Sequence, residues 1–206
     1  MATIMKKPLI FGILIAFAGT AIYLGTRDMP PNSCDEVNIA SLSDPENTIL
    51  LAPSSGGCVV IETYPGKAPN HVARFKELVR DGFYTDVVFH RVIEGFMAQT
   101  GDPTGTGTGG SGQNIDAEFN DISHERGVVS TARSEEPNSA DSQFFIMLEA
   151  APHLDGMYTA WGRVISGMEN IDAIQKGPKE QNGIVPEDLR DKIVSMRVAA
   201  DVKPAD

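Results

Sequence analysis

Arg91 stands out among the residues that could do chemistry because it interrupts the apolar run of residues 87–93, VVFHRVI. A guanidinium keeps its proton at physiological pH, so Arg91 cannot serve as a general base. It can donate hydrogen bonds and hold a fixed positive charge beside apolar side chains. This setting favours a reaction whose barrier is electrostatic and needs no proton transfer. The alternative is a surface arginine whose methylene groups cover apolar neighbours.

The histidines and cysteines do not form a pattern that is typical of metal binding. The four histidines are spaced unlike zinc ligands and the two cysteines are isolated, so we predict no metal. A G-x-G-x-x-G pattern occurs at Gly105, Gly107 and Gly110. The polar residues 113–120 follow it where a dinucleotide-binding fold needs a helix. We therefore predict no cofactor and interpret residues 102–114 as a glycine-rich loop.

Short β-rich runs must position these residues. Separated by turn signals, they predict eight strands, at 47–53, 58–64, 87–92, 96–101, 127–133, 142–148, 159–165 and 192–200. An apolar face predicts a helix from Pro69 to the stop at Gly82, and a shorter amphipathic segment predicts a second helix over 168–177. Many short strands indicate a sandwich or a barrel, and this pattern does not distinguish the two.

Length and charge limit the possible classes of protein. The chain has 206 residues, which is enough for one domain with a substantial core. Its 17 basic and 28 acidic residues give a formal net charge of −11. Binding to nucleic acid needs a basic surface that neutralises phosphates, so we expect no nucleic-acid partner. The acidic balance mainly favours solubility.

The first 25 residues differ in character from the rest. Lys6 and Lys7 precede residues 8–25, which are apolar and uncharged. A cleaved signal peptide fits this pattern, with small residues at Ala16 and Ala18 near a cleavage site. A retained membrane anchor fits it too, although the run is slightly short of the ~20 residues that a spanning helix needs. Both interpretations predict an exported, periplasmic domain. The third interpretation is that the segment forms a buried core helix.

Residues 26–46 are polar and contain prolines, which indicates a linker to a domain at 47–203. Cys34 in this linker and Cys58 in a predicted strand could form a disulfide in an exported protein. Closing that loop contributes about 3 kcal/mol in the chain-entropy model. Alternatively, Cys58 is an ordinary buried strand residue and Cys34 lies in a flexible tail.

Longer motifs give the domain a family resemblance. FHRVIEGFMAQTGD at 89–102, SQFFI at 142–146, LDG at 154–156 and GRV at 162–164 occur in an order and spacing that resemble the cyclophilin family of peptidyl-prolyl cis-trans isomerases. The resemblance runs from about residue 47 to about residue 202, and the length of the 133–141 segment is similar to that of bacterial members. It implies a closed, mostly antiparallel eight-stranded barrel with a helix over each open end.

The resemblance also implies a catalytic residue and a pocket. Arg91 would be the catalytic group, donating toward the prolyl nitrogen and carbonyl of the substrate. Four apolar residues would line the proline pocket: Phe96, Met97, Phe145 and Leu154.

Five further positions are implied to bind the substrate. Gln99 would hydrogen-bond the substrate backbone and Gln143 would support the groove. Ala132 and Arg133 would bind the residue before proline through main-chain groups. Tyr158 would lie near the proline pocket, where many relatives carry His, and Arg133 stands where Asn is common.

We therefore predict an exported prolyl isomerase that acts on X-Pro bonds of proteins folding outside the cytoplasm, as a monomer and with a possible membrane attachment through its N-terminal segment. The partners would be proline-containing polypeptides. The alternative function is a non-catalytic module or chaperone that binds proline-containing segments on the same barrel. Arg91 together with Phe96 and Gln99 favours the enzyme, because an apolar pocket alone suffices for binding.

Overall fold

One eight-stranded sheet carries the fold of residues 33–203, which the computed structural model describes. Its strands are β1 (Thr48–Pro53), β2 (Val59–Thr63), β3 (Arg91–Ile93), β4 (Met97–Thr100), β5 (Val128–Thr131), β6 (Phe144–Met147), β7 (Ala160–Ser166) and β8 (Ile193–Val198). The helices are α1 (Pro69–Arg80) and α2 (Met168–Asp172). Short 3₁₀ turns lie at Ser33–Glu36, Ile39–Ser41, Pro45–Asn47, Pro137–Ser139, Pro152–Leu154, Lys179–Gln181, Glu187–Leu189 and Ala199–Asp201. The mostly-β class with two helices is confirmed.

The predicted closed barrel is wrong, because the sheet remains an open, curled half-barrel. Its strand order is β3-β4-β6-β5-β7-β2-β1-β8, so β3 and β8 form its two edges. Between these edges Val88 and Lys192 form only an isolated antiparallel bridge. The backbone N–H of Phe89 donates to the carbonyl of Asp191 beside it, at 2.8 Å.

Another segment occupies the outer edge of β3, which explains the missing ladder. The backbone N–H of Val92 donates to the carbonyl of Gly183 at 2.8 Å, and that of Gly177 donates to Val92 at 3.0 Å. A Cβ on Gly177 would come within 2.1 Å of the Gly183 carbonyl, so glycine permits this close approach. Residues 177–185 thus take the place that β8 would need in order to close the barrel.

Helix α1 packs into the concave side of the sheet as its pattern predicts. It begins at Pro69, whose missing N–H is harmless in the first turn, and Gly82 follows its end with φ +70°. Its buried apolar face consists of Val72, Phe75, Leu78 and Val79. Phe75 stacks on Trp161 of β7 with ring centroids 4.4 Å apart, at the centre of the main core.

The described part of the predicted linker, residues 33–46, forms 3₁₀ turns beside the sheet. Cys34 and Cys58 are joined in a disulfide with Cα atoms 4.9 Å apart. Cys34 is buried against Leu50 and Val60, which point away from the main core because strand residues alternate between faces. No helix within residues 33–203 is long and apolar enough to cross a membrane. The predicted signal or anchor at 1–25 lies outside the described residues.

Candidate active site

The register of neighbouring strands brings three of the predicted site residues into one row. Arg91 of β3 pairs with Gln99 of β4, which pairs with Phe145 of β6. Directly opposed residues share a face of the sheet, so these three side chains lie on the side opposite to the main core. Their chain neighbours Val92 and Phe144 point inward and belong to that core.

A cavity of about 420 Å³ opens on this face. It is lined by Arg91, Phe96, Met97, Gln99, Ala132, Arg133, Phe145, His153, Leu154 and Tyr158. The cavity therefore contains every predicted site residue except Gln143, and it adds His153, whose ring stacks on Phe96 at 5.8 Å. An apolar concavity with a few polar groups is typical of a small-ligand site. We call it the proline cavity, after the pocket that the family resemblance implies.

Asn182 and Gln99 hold the guanidinium of Arg91. Its Nε donates to the Asn182 carbonyl at 3.0 Å, Nη2 donates to Asn182 Oδ1 at 3.0 Å, and Nη1 donates to Gln99 Oε1 at 3.2 Å. Burial lowers the pKa of Arg91, yet an arginine retains its proton at neutral pH. Asn182 has φ +53°, a left-handed conformation that Asn tolerates better than most residues. No pattern in the sequence indicated this residue.

Gln143 lies in a second cavity of about 400 Å³, which we call the polar cavity. The two cavities share Gln99, Ala132 and Arg133. Gln99 Nε2 donates to Gln143 Oε1 at 2.9 Å, and Gln143 Nε2 donates to the Gly109 carbonyl at 2.8 Å. The N–H of Ala132 is already bonded to the Gln143 carbonyl at 3.0 Å, so a substrate would meet its other main-chain groups.

The glycine-rich loop that borders the polar cavity is organised by buried Asp102. Its carboxylate accepts hydrogen bonds from Thr104 N and Oγ1 at 2.7 Å each, from Gly107 N at 2.6 Å and from Gly109 N at 3.1 Å. Burial by itself raises the pKa of Asp102, but these hydrogen bonds outweigh it and lower the pKa to about 2. The loop that presents the Gly107 and Gly109 carbonyls to Gln143 is therefore built on one ionised side chain.

A Ser-His-Asp cluster supports the proline cavity from behind. His124 Nδ1 lies 3.0 Å from Asp155 Oδ1, and its Nε2 lies 3.1 Å from Ser130 Oγ. The His124 ring stacks on Phe145 with centroids 6.2 Å apart. Ser130 is 0% exposed and its hydroxyl also donates to the Thr159 carbonyl at 2.8 Å. A substrate cannot reach this serine, so the cluster packs Phe145 and is no nucleophile. No pattern in the sequence indicated this cluster.

Comparisons with known proteins agree with this fold. The model of the family "Cyclophilin type peptidyl-prolyl cis-trans isomerase/CLD" matches residues 49–198. A "Probable peptidyl-prolyl cis-trans isomerase" of Brucella abortus is 47% identical over 183 residues, which cover 83% of this chain and 92% of that protein. Peptidyl-prolyl cis-trans isomerase B of Bacillus subtilis is 47% identical over 124 residues, covering 59% and 86% of the two chains.

Solved structures are similar as well. Cyclophilin AquaCyp293 from Hirschia baltica has a TM-score of 0.69 at 30% identity, covering 79% of this chain and 77% of its own. A Cryptosporidium parvum cyclophilin-type isomerase, solved in the presence of the dipeptide Ala-Pro, has a TM-score of 0.67 at 30% identity, covering 73% and 98%. The chain therefore belongs to the cyclophilin family, and it is a peptidyl-prolyl cis-trans isomerase.

Proposed function

We propose that this enzyme isomerises X-Pro bonds of polypeptides folding outside the cytoplasm, with Arg91 as its catalytic residue. The observation that carries the proposal is the position of the Arg91 guanidinium, which Asn182 and Gln99 hold at the edge of the proline cavity, beside apolar side chains. The C. parvum relative was solved with Ala-Pro, which supports a proline-containing peptide as the ligand of this cavity.

The chemistry of the X-Pro bond explains why one fixed guanidinium suffices. Rotation about the amide has a barrier of about 20 kcal/mol, because the twisted form loses resonance. The prolyl nitrogen then carries a lone pair that a donor can stabilise. Only interactions that are stronger in the twisted form than in the planar form accelerate the reaction. A donor that is already oriented costs no reorganisation when the amide twists.

Each part of the site has a task in this mechanism. Apolar walls formed by Phe96, Met97, Phe145 and Leu154 would hold the proline ring. Three N–H groups of Arg91 donate hydrogen bonds to Asn182 and Gln99. Its two other N–H groups have no partner among residues 33–203, so they are free to donate toward the prolyl nitrogen and carbonyl. Gln99 and the main chain at 132–133 would hold the peptide on one side while the other side rotates.

The disulfide supports the extracytoplasmic location. Cytosolic thiols are normally kept reduced, whereas disulfides persist in exported proteins. The Cys34–Cys58 bond and the basic start of the apolar segment 8–25 point to the same compartment. Thiol titration of denatured, cell-purified protein should find no free thiols, and two free thiols would contradict the proposal. Mass spectrometry of the same sample distinguishes a cleaved signal peptide from a retained anchor. Its elution volume in size-exclusion chromatography tests the expected monomeric state.

A protease-free isomerisation assay tests the catalytic role. The full chain and Arg91→Ala would be compared on a peptide containing Ala-Pro, with circular dichroism as the control for folding. We expect the variant to lose about 10²–10³-fold in kcat, as is typical when one oriented donor is removed. Arg91→Lys keeps the charge but not the planar fork, so its rate should fall between the two.

The other outcomes are equally informative. Equal rates for the full chain and Arg91→Ala would retain the isomerase and remove Arg91 from its mechanism. A folded chain that binds the peptide without accelerating its isomerisation would instead indicate the non-catalytic binding module.

A further inference from the structure

Arg133 lies where the proline cavity and the polar cavity meet, and its side chain makes four hydrogen bonds to the main chain around it. Its Nε and Nη2 donate to the Met157 carbonyl at 3.2 and 2.9 Å. Its Nη1 donates to the carbonyls of Ser134 and Glu135 at 2.8 and 3.0 Å. The planar fork therefore ties residues 133–135 to residue 157, across the wall of the site.

The same guanidinium also covers an aromatic ring. The central carbon of Arg133 lies 4.8 Å from the centroid of the Tyr158 ring, within the range of a cation–π contact. Tyr158 also meets Phe145 edge to face, with centroids 5.8 Å apart. Among residues 33–203 no hydrogen bond holds the Tyr158 side chain, so these two contacts and its packing against the apolar cluster around Phe145 position it in the wall of the proline cavity.

We propose that Arg133 is a positioning residue, which clamps Tyr158 against Phe145 and thereby shapes the proline cavity. The proposal rests on the proposed function of this cavity. Of the five N–H groups of the guanidinium, four donate to main-chain carbonyls. The side chain is therefore poorly placed to donate to a substrate, and its contribution passes through Tyr158.

Replacing Arg133 should weaken binding of the proline peptide more than it slows the rotation. Without the guanidinium, the Tyr158 ring loses its cation–π contact and the residue 157 carbonyl loses the two donors of Arg133. The cavity is then less well ordered before the peptide arrives, whereas Arg91 keeps its own partners, Asn182 and Gln99. The effect should appear in KM and in the dissociation constant, and little in kcat.

The experiment is a double-mutant cycle on the full chain with a blocked Ala-Ala-Pro-Phe peptide as the probe. The dissociation constant is measured by NMR titration, and kcat and KM by the protease-free assay. We expect Arg133→Ala to raise the dissociation constant and KM about five-fold, with kcat changed less than about two-fold. In a Tyr158→Ala background the same substitution should add less than about two-fold, because its target is gone.

Two further variants control the measurement. Arg133→Lys keeps a cation over the ring but loses the fork, so it should raise KM by less than Arg133→Ala and cover the case in which the alanine variant misfolds. Arg80→Ala removes an arginine that pairs with Glu46 and Asp201 and lines neither cavity, so it should leave KM unchanged.

An unchanged dissociation constant in Arg133→Ala overturns the proposal, and so does an equal effect in both backgrounds, which would mean direct contact with the peptide. A wild-type chain that fails to bind the peptide overturns it too. A chain that binds the peptide but does not turn it over contradicts only the proposed function, because the binding cycle still measures the clamp.

Discussion

Two neighbouring phenylalanines of β6 occupy different environments although both are buried. Phe144 is 0% exposed and Phe145 is 6% exposed. Phe144 meets the rings of Phe75, Tyr84 and Trp161 at 5.6 to 5.8 Å inside the curl of the sheet. Phe145 lies on the other face, where the ring of His124 packs on it and the proline cavity opens beside it. Burial alone therefore does not separate the core from the site.

What distinguishes the two residues is the space next to each ring. The surroundings of Phe144 are protein on every side, so its ring contributes to stability through close packing. Phe145 borders an open cavity, and under the proposed function the proline ring of the substrate would fill that space. A strand with side chains on alternating faces can serve both purposes with adjacent residues.

The largest expected effect tests this difference directly. Phe144→Ala should lower the free energy of unfolding by about 3–5 kcal/mol, because the surrounding core relaxes only partially and leaves a cavity where the ring was. Phe145→Ala should cost clearly less stability, since solvent already reaches its cavity, but it should weaken binding of the Ala-Ala-Pro-Phe peptide. Urea unfolding and peptide titration of both variants measure the two quantities. Equal losses of stability would mean that Phe145 is ordinary core.

A buried charge beside the site extends the comparison to polar groups. Asp102 is 0% exposed and has a folded pKa of about 2, against 3.8 for the ordinary group. A lowered pKa contributes stability that is fully present above the unfolded value and is lost as the pH falls through the folded value. At 1.36 kcal/mol per pKa unit, the contribution at neutral pH is about 2 kcal/mol.

Asp102→Asn should therefore lower stability by about 2 kcal/mol at pH 7 and by much less at pH 2. Urea unfolding of both proteins from pH 7 to pH 2 measures the difference, in which the titration of all other carboxyl groups cancels. A difference that stays constant over this range would contradict the role of the ionised carboxylate. Because the loop supports Gln143, the variant should also bind the peptide more weakly.

Local patterns predicted most of the elements, because their causes are local. Helix α1 starts at a proline and is followed by a left-handed glycine, and its buried face repeats at helical spacing. Barrel closure failed as a prediction because the edge of β3 pairs with Gly177 and Gly183 rather than with β8. No periodicity in the sequence indicates which distant segment will pair with the edge of a strand.

The site was predictable for a different reason. Composition alone would assign Met97 and Phe145 to the core, since they are apolar strand residues. Their place in the proline cavity followed from the resemblance to a family. Asn182 and the His124 cluster were missed because no local pattern relates the segments that their hydrogen bonds join: 91 positions separate Asn182 from Arg91, and 31 separate His124 from Asp155. The Asn-Gly pair at 182–183 indicates a turn, but it does not indicate that Asn182 contacts Arg91.

The smallest expected effect concerns that missed residue. Asn182→Gly keeps the left-handed conformation and the carbonyl that accepts from Arg91 Nε, and removes only the Oδ1 acceptor. Loss of one hydrogen bond of about 1 kcal/mol predicts a fall of about five-fold in kcat. KM and stability should change little, because no apolar wall of the cavity is touched. The protease-free assay measures kcat and KM separately.

Asn182→Asp provides the matched control for this prediction, because it restores an acceptor at the same position and should recover most of the rate. Asn182→Ala is a poorer choice, since a left-handed backbone strains alanine and would mix stability with orientation. An unchanged kcat in Asn182→Gly would mean that Gln99 and the residue 182 carbonyl alone orient Arg91. A rise in KM with kcat unchanged would instead place Asn182 in contact with the ground state of the peptide.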